Sequence, residues 1–352
     1  MTVTTDRSII EFAKTNVLSN PRLPLVEEGK DVPWFIRKLD ETLTRLHSSK
    51  ELLLPNLQRE SKTLLVLSDY GGEHEEAKYY SYSFLFTNAQ ALGPFLKHIH
   101  AVRNEAGMNS PYREMGYKKI QPGPILRALD GGWIHSFEQV PGLLFTLLVD
   151  KKIHSLFGPN SPNTLLEITQ KLEKQGCSYW KPEIAEKLFR VLHVVGYFVG
   201  LLSKENHMVF WMSDKDAIIA NDKQLGGAGN VLGALVKTYT PHKIGRIGFG
   251  PEFSKADRSA NASKDICELL AITDLVAGAV EDLYSKSKTQ NEPLVKRGAE
   301  IVDQWLCHQG ILCKKLIIAF NAVGSENVIT SVLSFKHKEI PDNVTLVPVD
   351  IE

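Results

Sequence analysis

Residues 63–69 (TLLVLSD) constrain this chain more than any other stretch. Leu64 to Leu67 form an unbroken apolar run ending in Ser68-Asp69, which reads as a strand buried on both faces with a carboxylate at its tip. Gly71 and Gly72 supply a tight turn, and the returning run 78–87 puts Tyr80, Tyr82, Phe84 and Phe86 on one face. The two runs predict a hairpin on which a larger sheet is built. A carboxylate at the end of a buried strand is costly unless something cationic meets it. Asp69 is therefore either a ligand for a cation or a turn residue capping its own backbone.

Further strands are predicted at 113–120 (REMGYKKI), with Met115 and Tyr117 on one face and Glu114, Gly116 and Lys118 on the other, and at 142–150 (GLLFTLLVD), 207–212 (HMVFWM) and 243–250 (KIGRIGFG). Helical spacing marks 34–46, 93–105, a short proline-started helix at 121–130, a helix begun by Ser161-Pro162, and 182–203. Another runs from an N-cap at Ser263 to about residue 285, with Asp265 and Glu268 in its first turn, and a last one covers 294–308. Residues 217–236 read as helical at both ends, broken by a loop at GGAGN. In 272–283 (ITDLVAGAVEDL), Ala277, Gly278 and Ala279 form a small-residue face for close approach to a sheet, and Asp274 lies one turn earlier on that face. Apolar runs at 315–320, 329–335 and 344–349 close the chain as a sheet extension or a small second unit.

With 352 residues the chain can bury a large core in one big domain or two modest ones. Forty-one basic and forty-one acidic residues cancel, which excludes a global field toward nucleic acid or membrane. Any basic rim must be local, as at Lys118-Lys119, Lys151-Lys152, Lys243 with Arg246, or Lys255 with Arg258. The most lipid-like stretch, 191–202, is too short to span a bilayer and contains His193, so it predicts a buried helix. No signal peptide is apparent in the first thirty residues, and four scattered cysteines fit a reducing compartment, so a cytoplasmic location is expected. Cys307-His308 with Cys313 is half a zinc pattern that lacks a second pair, and His98 and His100 cannot share a helix face. Gly227, Gly229 and Gly233 lack the leading strand and following acid of a dinucleotide loop.

The acids carry the functional reading. Asp69, Asp150 and Asp214 each end a predicted strand, Glu114 lies in another, and Asp274 sits on a packing face where a charge wants a partner. Such oxygen ligands suit Mg²⁺ or Mn²⁺, and a pair of these ions can activate water and stabilise the leaving oxygen in phosphodiester cleavage. Taken singly, Asp214 and Asp216 can cap the next helix, and Asp150 can pair with Lys151 or Lys152.

Asp69 after an apolar strand, the Glu-x-x-x-Lys stretch from Glu114 to Lys118, the strand-ending Asp214 and above all ITDLVAGAV resemble the RNase H-like family known as domain of unknown function 3800. The resemblance covers residues 62–285. It implies an α/β fold, an RNase H-like mixed sheet flanked by helices, with a core at 61–290; the helical pattern within 1–60 then reads as an N-terminal helical extension, and the helix and apolar runs within 291–352 as a C-terminal α/β extension. It further implies a metal-dependent nuclease acting on DNA or RNA, with Asp69, Glu114, Asp214 and Asp274 as ligands and catalytic acids, Lys118 facing phosphate, and Asp150 as the reserve ligand. The chain departs from the family in having Asp-Tyr-Gly-Gly-Glu where Asp-Glu-Ser-Gly is usual, and in the long gap from Asp150 to Asp214. Two rivals stand beside this reading. Asp-x-Gly-Gly also resembles the first phosphate loop of actin-like and sugar-kinase ATPases, although no second loop is found. In a non-catalytic module, the acids would be turn and cap residues and the C-terminal extension would bind a protein partner.

Overall fold

The structure, a computed structural model, describes residues 2–3, 7–59, 61–109, 112–158, 162–174, 179–214, 216–251, 261–286, 297–324, 327–335 and 345–346. Seven strands make one mixed sheet: β1 (Thr63–Gly71), β2 (Tyr79–Asn88), β3 (Gly142–Asp150), β4 (Met208–Ser213), β5 (Arg246–Pro251), β6 (Cys313–Val323) and β7 (Asn327–Leu333). Their order is β5-β4-β1-β2-β3-β6-β7. β1, β2 and β3 form an antiparallel meander, β4 and β5 add in parallel beyond β1, and β6 pairs in parallel with β3 before β7 returns antiparallel. The helices are α1 (Arg7–Thr15), α2 (Trp34–Ser48), α3 (Gly93–Glu105), α4 (Pro124–Asp130), α5 (Pro162–Lys174), α6 (Pro182–Leu202), α7 (Asp222–Tyr239), α8 (Asn261–Lys286) and α9 (Arg297–Leu306).

Strand alternation divides the core into two layers. Leu64, Val66, Phe84, Phe86, Phe145, Leu147 and Trp211 pack against α2, α6 and α7 on one face. Leu65, Leu67, Leu85, Leu144, Leu148 and Ile317 pack against α3, α8 and α9 on the other. α6 is buried nearly all round, as its length and His193 predicted, and no helix among the described residues is long and apolar enough to cross a membrane.

Three expectations are corrected, and a fourth is decided between its two alternatives. Residues 113–120 form no strand. β2 already has both edges filled by β1 and β3, so this segment runs as a loop into a single 3-10 turn at Tyr117–Lys119. GGAGN does not interrupt α7, because Gly227 is pressed against Trp180: a Cβ there would lie 2.8 Å from Cη2. Packing here overrides the low helix propensity of glycine. The eighth helix begins at Asn261, so Ser263 lies inside its first turn rather than capping it, and Glu268, expected in that first turn, falls beyond it and is buried. The runs at 315–320 and 329–335 fall in β6 and β7, which continue the central sheet, whereas of 344–349 only Thr345–Leu346 is described. Ser161, Cys177, Lys255 and Arg258 lie outside the described residues.

Candidate active site

Leu65 and Leu67 face α8, and alternation along β1 sends Asp69 to the same side. Ser68 stands opposite Ser213 in the parallel β1–β4 pair, and the Asp214 N–H donates to the Ser68 carbonyl at 3.2 Å. Asp69 and Asp214 are therefore neighbours on strands about 4.8 Å apart. Asp274 approaches from α8. Its helix comes close because Ala277 and Gly278 are small: Gly71 lies against Ala277, and a Cβ on Gly278 would sit 2.3 Å from the Tyr117 ring. The Tyr117 N–H donates to Asp274 Oδ2 at 2.9 Å and its hydroxyl donates to Asp282 Oδ2 at 2.5 Å, which fixes the loop carrying Glu114 and Lys118 over α8. Gly72, at φ +81°, closes the β1–β2 turn so tightly that a Cβ would lie 1.9 Å from the Tyr79 carbonyl oxygen.

A cleft of 970 Å³ results, lined by Asp69, Glu114, Lys118, Asp214 and Asp274 together. Asp150 is not among its walls. It ends β3 at the same end of the sheet but two strands from Asp69, opposite Tyr79, where its Oδ1 accepts the Lys152 N–H at 3.0 Å. Asp150 is a turn cap, which corrects its reading as the reserve ligand. His98 bonds Gln139 and His100 bonds Asp265, so they form no pair. Cys307 donates to the Asp303 carbonyl, and Cys313 is buried in β6.

Burial pushes the Asp69 carboxyl well above the usual range, and the anions of Asp274 and Asp214 push it further, against the Tyr70 N–H at 2.6 Å and the Lys187 ammonium. Asp274 is also raised, first by burial. The Tyr117 N–H opposes this, Asp214 adds to it, and Lys119 and Lys118 relieve it. Glu114 is ion-paired with Lys119. Among the described residues, no group of three or more His, Cys, Asp or Glu side chains stands close enough to hold a metal ion. The donor chemistry nevertheless fits a hard divalent cation: carboxylate oxygens from separate segments, two of them, Asp69 and Asp274, with carboxyls still raised by burial and like charge.

The sequence gives little sign of Lys187. This α6 lysine is buried, bonds Asp216 Oδ2 at 2.7 Å and Glu73, and stands 4.6 Å over the Tyr70 ring. It thus ties the turn after β1 to the loop after β4, the two segments that follow Asp69 and Asp214. Its only signal is the cluster Glu186, Lys187, Arg190 in an otherwise apolar helix. Among the described residues, five further carboxylates line the cleft (Glu73, Glu75, Glu76, Glu281 and Asp282), against the three lysines Lys118, Lys119 and Lys286.

Replacing Gly278 by Ala should force Tyr117 off α8, at about 1–3 kcal/mol for overpacking a tight contact. Chemical denaturation should show the loss, and divalent-ion affinity should fall with it because Tyr117 positions the Asp274 carboxylate.

No family model and no curated protein matches the sequence. Among solved structures, a chain of the PCNA:RNase HII complex from Archaeoglobus fulgidus matches at 10% identity and a TM-score of 0.32, covering 69% of this chain and 88% of that one. A likeness this slight carries neither fold nor function.

Proposed function

We propose that the protein is a divalent-metal-dependent hydrolase of phosphodiester bonds on an RNase H-like scaffold. One observation carries the reading: Asp69, Glu114, Asp214 and Asp274, far apart along the chain, line one cleft at the carboxyl end of the central strands. The antiparallel meander β1-β2-β3 with two parallel strands added beyond β1 supports the scaffold. Asp69, Asp214 and Asp274, with Glu114 once Lys119 releases it, would hold Mg²⁺ or Mn²⁺. Such an ion supplies an activated water and charge stabilisation at the leaving oxygen. The chain's own contribution is position. β1 and β4 set two carboxylates side by side, Tyr117 orients the third, Lys187 fixes the loops behind them, and Lys118 offers a cation to the phosphate. The surplus of carboxylates makes approach of a polyanion depend on that added positive charge.

The same surplus favours a second reading, a non-catalytic module whose acidic cleft takes a basic segment of a protein partner. Calorimetric titration with Mn²⁺ followed by a cleavage assay separates the two. The hydrolase reading expects Mn²⁺ binding and metal-dependent cleavage, both lost in Asp69→Asn and Asp274→Asn. If those variants cut as well as the parent, the assignment is wrong; Mn²⁺-independent capture of a basic peptide without cleavage would support the module.

A further inference from the structure

The half of the sheet beyond β1 has one well-covered face. Val209 and Trp211 of β4 point into the core beneath α6 and α7, and Phe249 of β5 stacks on Trp211 with ring centres 4.2 Å apart. On the opposite face, α8 packs on β1 and β2, and the alternate β4 residues Met208 and Phe210 remain 44% and 38% exposed. That face is flat for a local reason. Gly248 stands opposite Phe210 in the β4–β5 pair, and a Cβ on it would lie 2.6 Å from Phe210 Cδ2. The phenyl ring therefore lies across the glycine and turns its outer side to solvent.

The charges along β4 are ordered. Arg246, opposite Met208, is exposed, and Lys62 and Lys243 are exposed in the segments whose carbonyls accept the Met208 and Asn206 N–H groups. Glu205 is the acid in the same turn. Two residues beyond Phe210 on the same face comes Met212, then Asp214 in the cleft. Met208 to Asp214 spans roughly 20 Å of strand at about 3.3 Å per residue.

We propose that the open face of β4 and β5 seats a single-stranded nucleic acid, one base lying on Phe210 and a phosphate meeting Arg246, with the strand leading into the cleft at Asp214. This deepens the hydrolase reading and rests on it for the direction of the strand. Cations at one end, an aromatic plane in the middle and a carboxylate site at the other end match a chain of alternating phosphates and bases. A second copy of this protein would have no use for that gradient. Bases paired in a duplex have both faces already stacked, so a flat aromatic platform selects unpaired ones.

The test is fluorescence anisotropy with a labelled oligothymidylate and its duplex form, in EDTA so that nothing is cut. The parent should prefer the single strand. Phe210→Ala and Phe210→Leu should each weaken that binding roughly tenfold, the scale of one lost base stack, while Phe210→Trp should retain it. Arg246→Glu should weaken binding and reduce the salt slope by about one. Equal binding by parent and Phe210→Leu, or equal affinity for duplex and single strand, would overturn the inference. So would sedimentation showing a dimer that Phe210→Ala dissociates, because the face would then join two copies. Binding at this face without metal-dependent cleavage removes the hydrolase reading alone; single-strand cleavage unchanged in Phe210→Ala removes this inference alone.

Discussion

Asp69→Asn should abolish metal-dependent cleavage and at the same time raise the melting temperature of the metal-free protein at neutral pH. The two effects share one cause. A carboxylate that is buried beside two others destabilises the fold, and on the hydrolase reading that unfavourable charge would be relieved by the bound cation. Asparagine keeps the oxygen that accepts the Tyr70 N–H and removes the charge. Losing about 4 kcal/mol of metal-assisted stabilisation corresponds to roughly a thousandfold in rate. The sign of the stability effect follows from linkage. The folded Asp69 carboxyl is raised above its ordinary value near 4, so from that pH upward the native state binds more protons than the unfolded chain. Stability of the metal-free protein therefore falls as pH rises through that window, and the gain from Asp69→Asn should be present at pH 7 and absent below about pH 4. Each kcal/mol relieved is worth roughly 2 °C in a chain of this size. Asp274, raised in the same direction, should behave alike. Melting curves at pH 4 and pH 7, with and without Mn²⁺, check the whole pattern. A variant that melts lower than the parent at pH 7 without metal would contradict it.

Arg103→Met should produce the largest loss of stability. Arg103 and Glu268 are each 2% exposed, with Nη1 2.6 Å from Oε1. Glu268 also accepts from the Trp133 indole at 2.9 Å and the Tyr112 hydroxyl at 3.0 Å. Arg103 Nη2 donates to the carbonyls of Arg113 and Met108, and its guanidinium lies 4.5 Å over the Tyr112 ring. Removing the cation leaves Glu268 buried with its charge uncompensated, at about 3–5 kcal/mol. The loss should appear as a lower urea midpoint. Because Arg103 holds the carbonyl immediately before Glu114, catalytic rate should fall as well. Arg103→Lys keeps the charge but not the planar fork, and should lie between the parent and the methionine variant.

Much of the frame was legible because it depends on simple periodicities. Nine residues from Thr63 and nine from Gly142 could hardly be anything but central strands, and an acid at the tip of such a strand has few places to go. The small-residue face of α8 located Asp274 correctly, since a charge next to Ala277 and Gly278 must lie where the helix meets its neighbour. Glu114 reached the cleft although its segment is a loop, because alternation in a short run does not reveal whether a sheet edge is free to take it. Asp150 misled for a related reason: the three strands that carry these aspartates at their ends finish at the same edge, and only lateral order tells which two lie together. The partners of Lys187 and the Arg103–Glu268 pair could not be read from the sequence, since a helical charge looks like a surface charge until the partner on another element is known.

The late position of β6 bears on how the chain matures. Gly142–Asp150 leaves the ribosome well before Cys313–Val323, its parallel neighbour, and every one of its nine residues ends up buried. During that interval the strand has an unpaired hydrogen-bonding edge and uncovered apolar side chains, conditions that promote wrong pairing between nascent chains. Any product ending short of residue 313 keeps that edge permanently, so soluble expression of the protein depends on translation reaching its last strands.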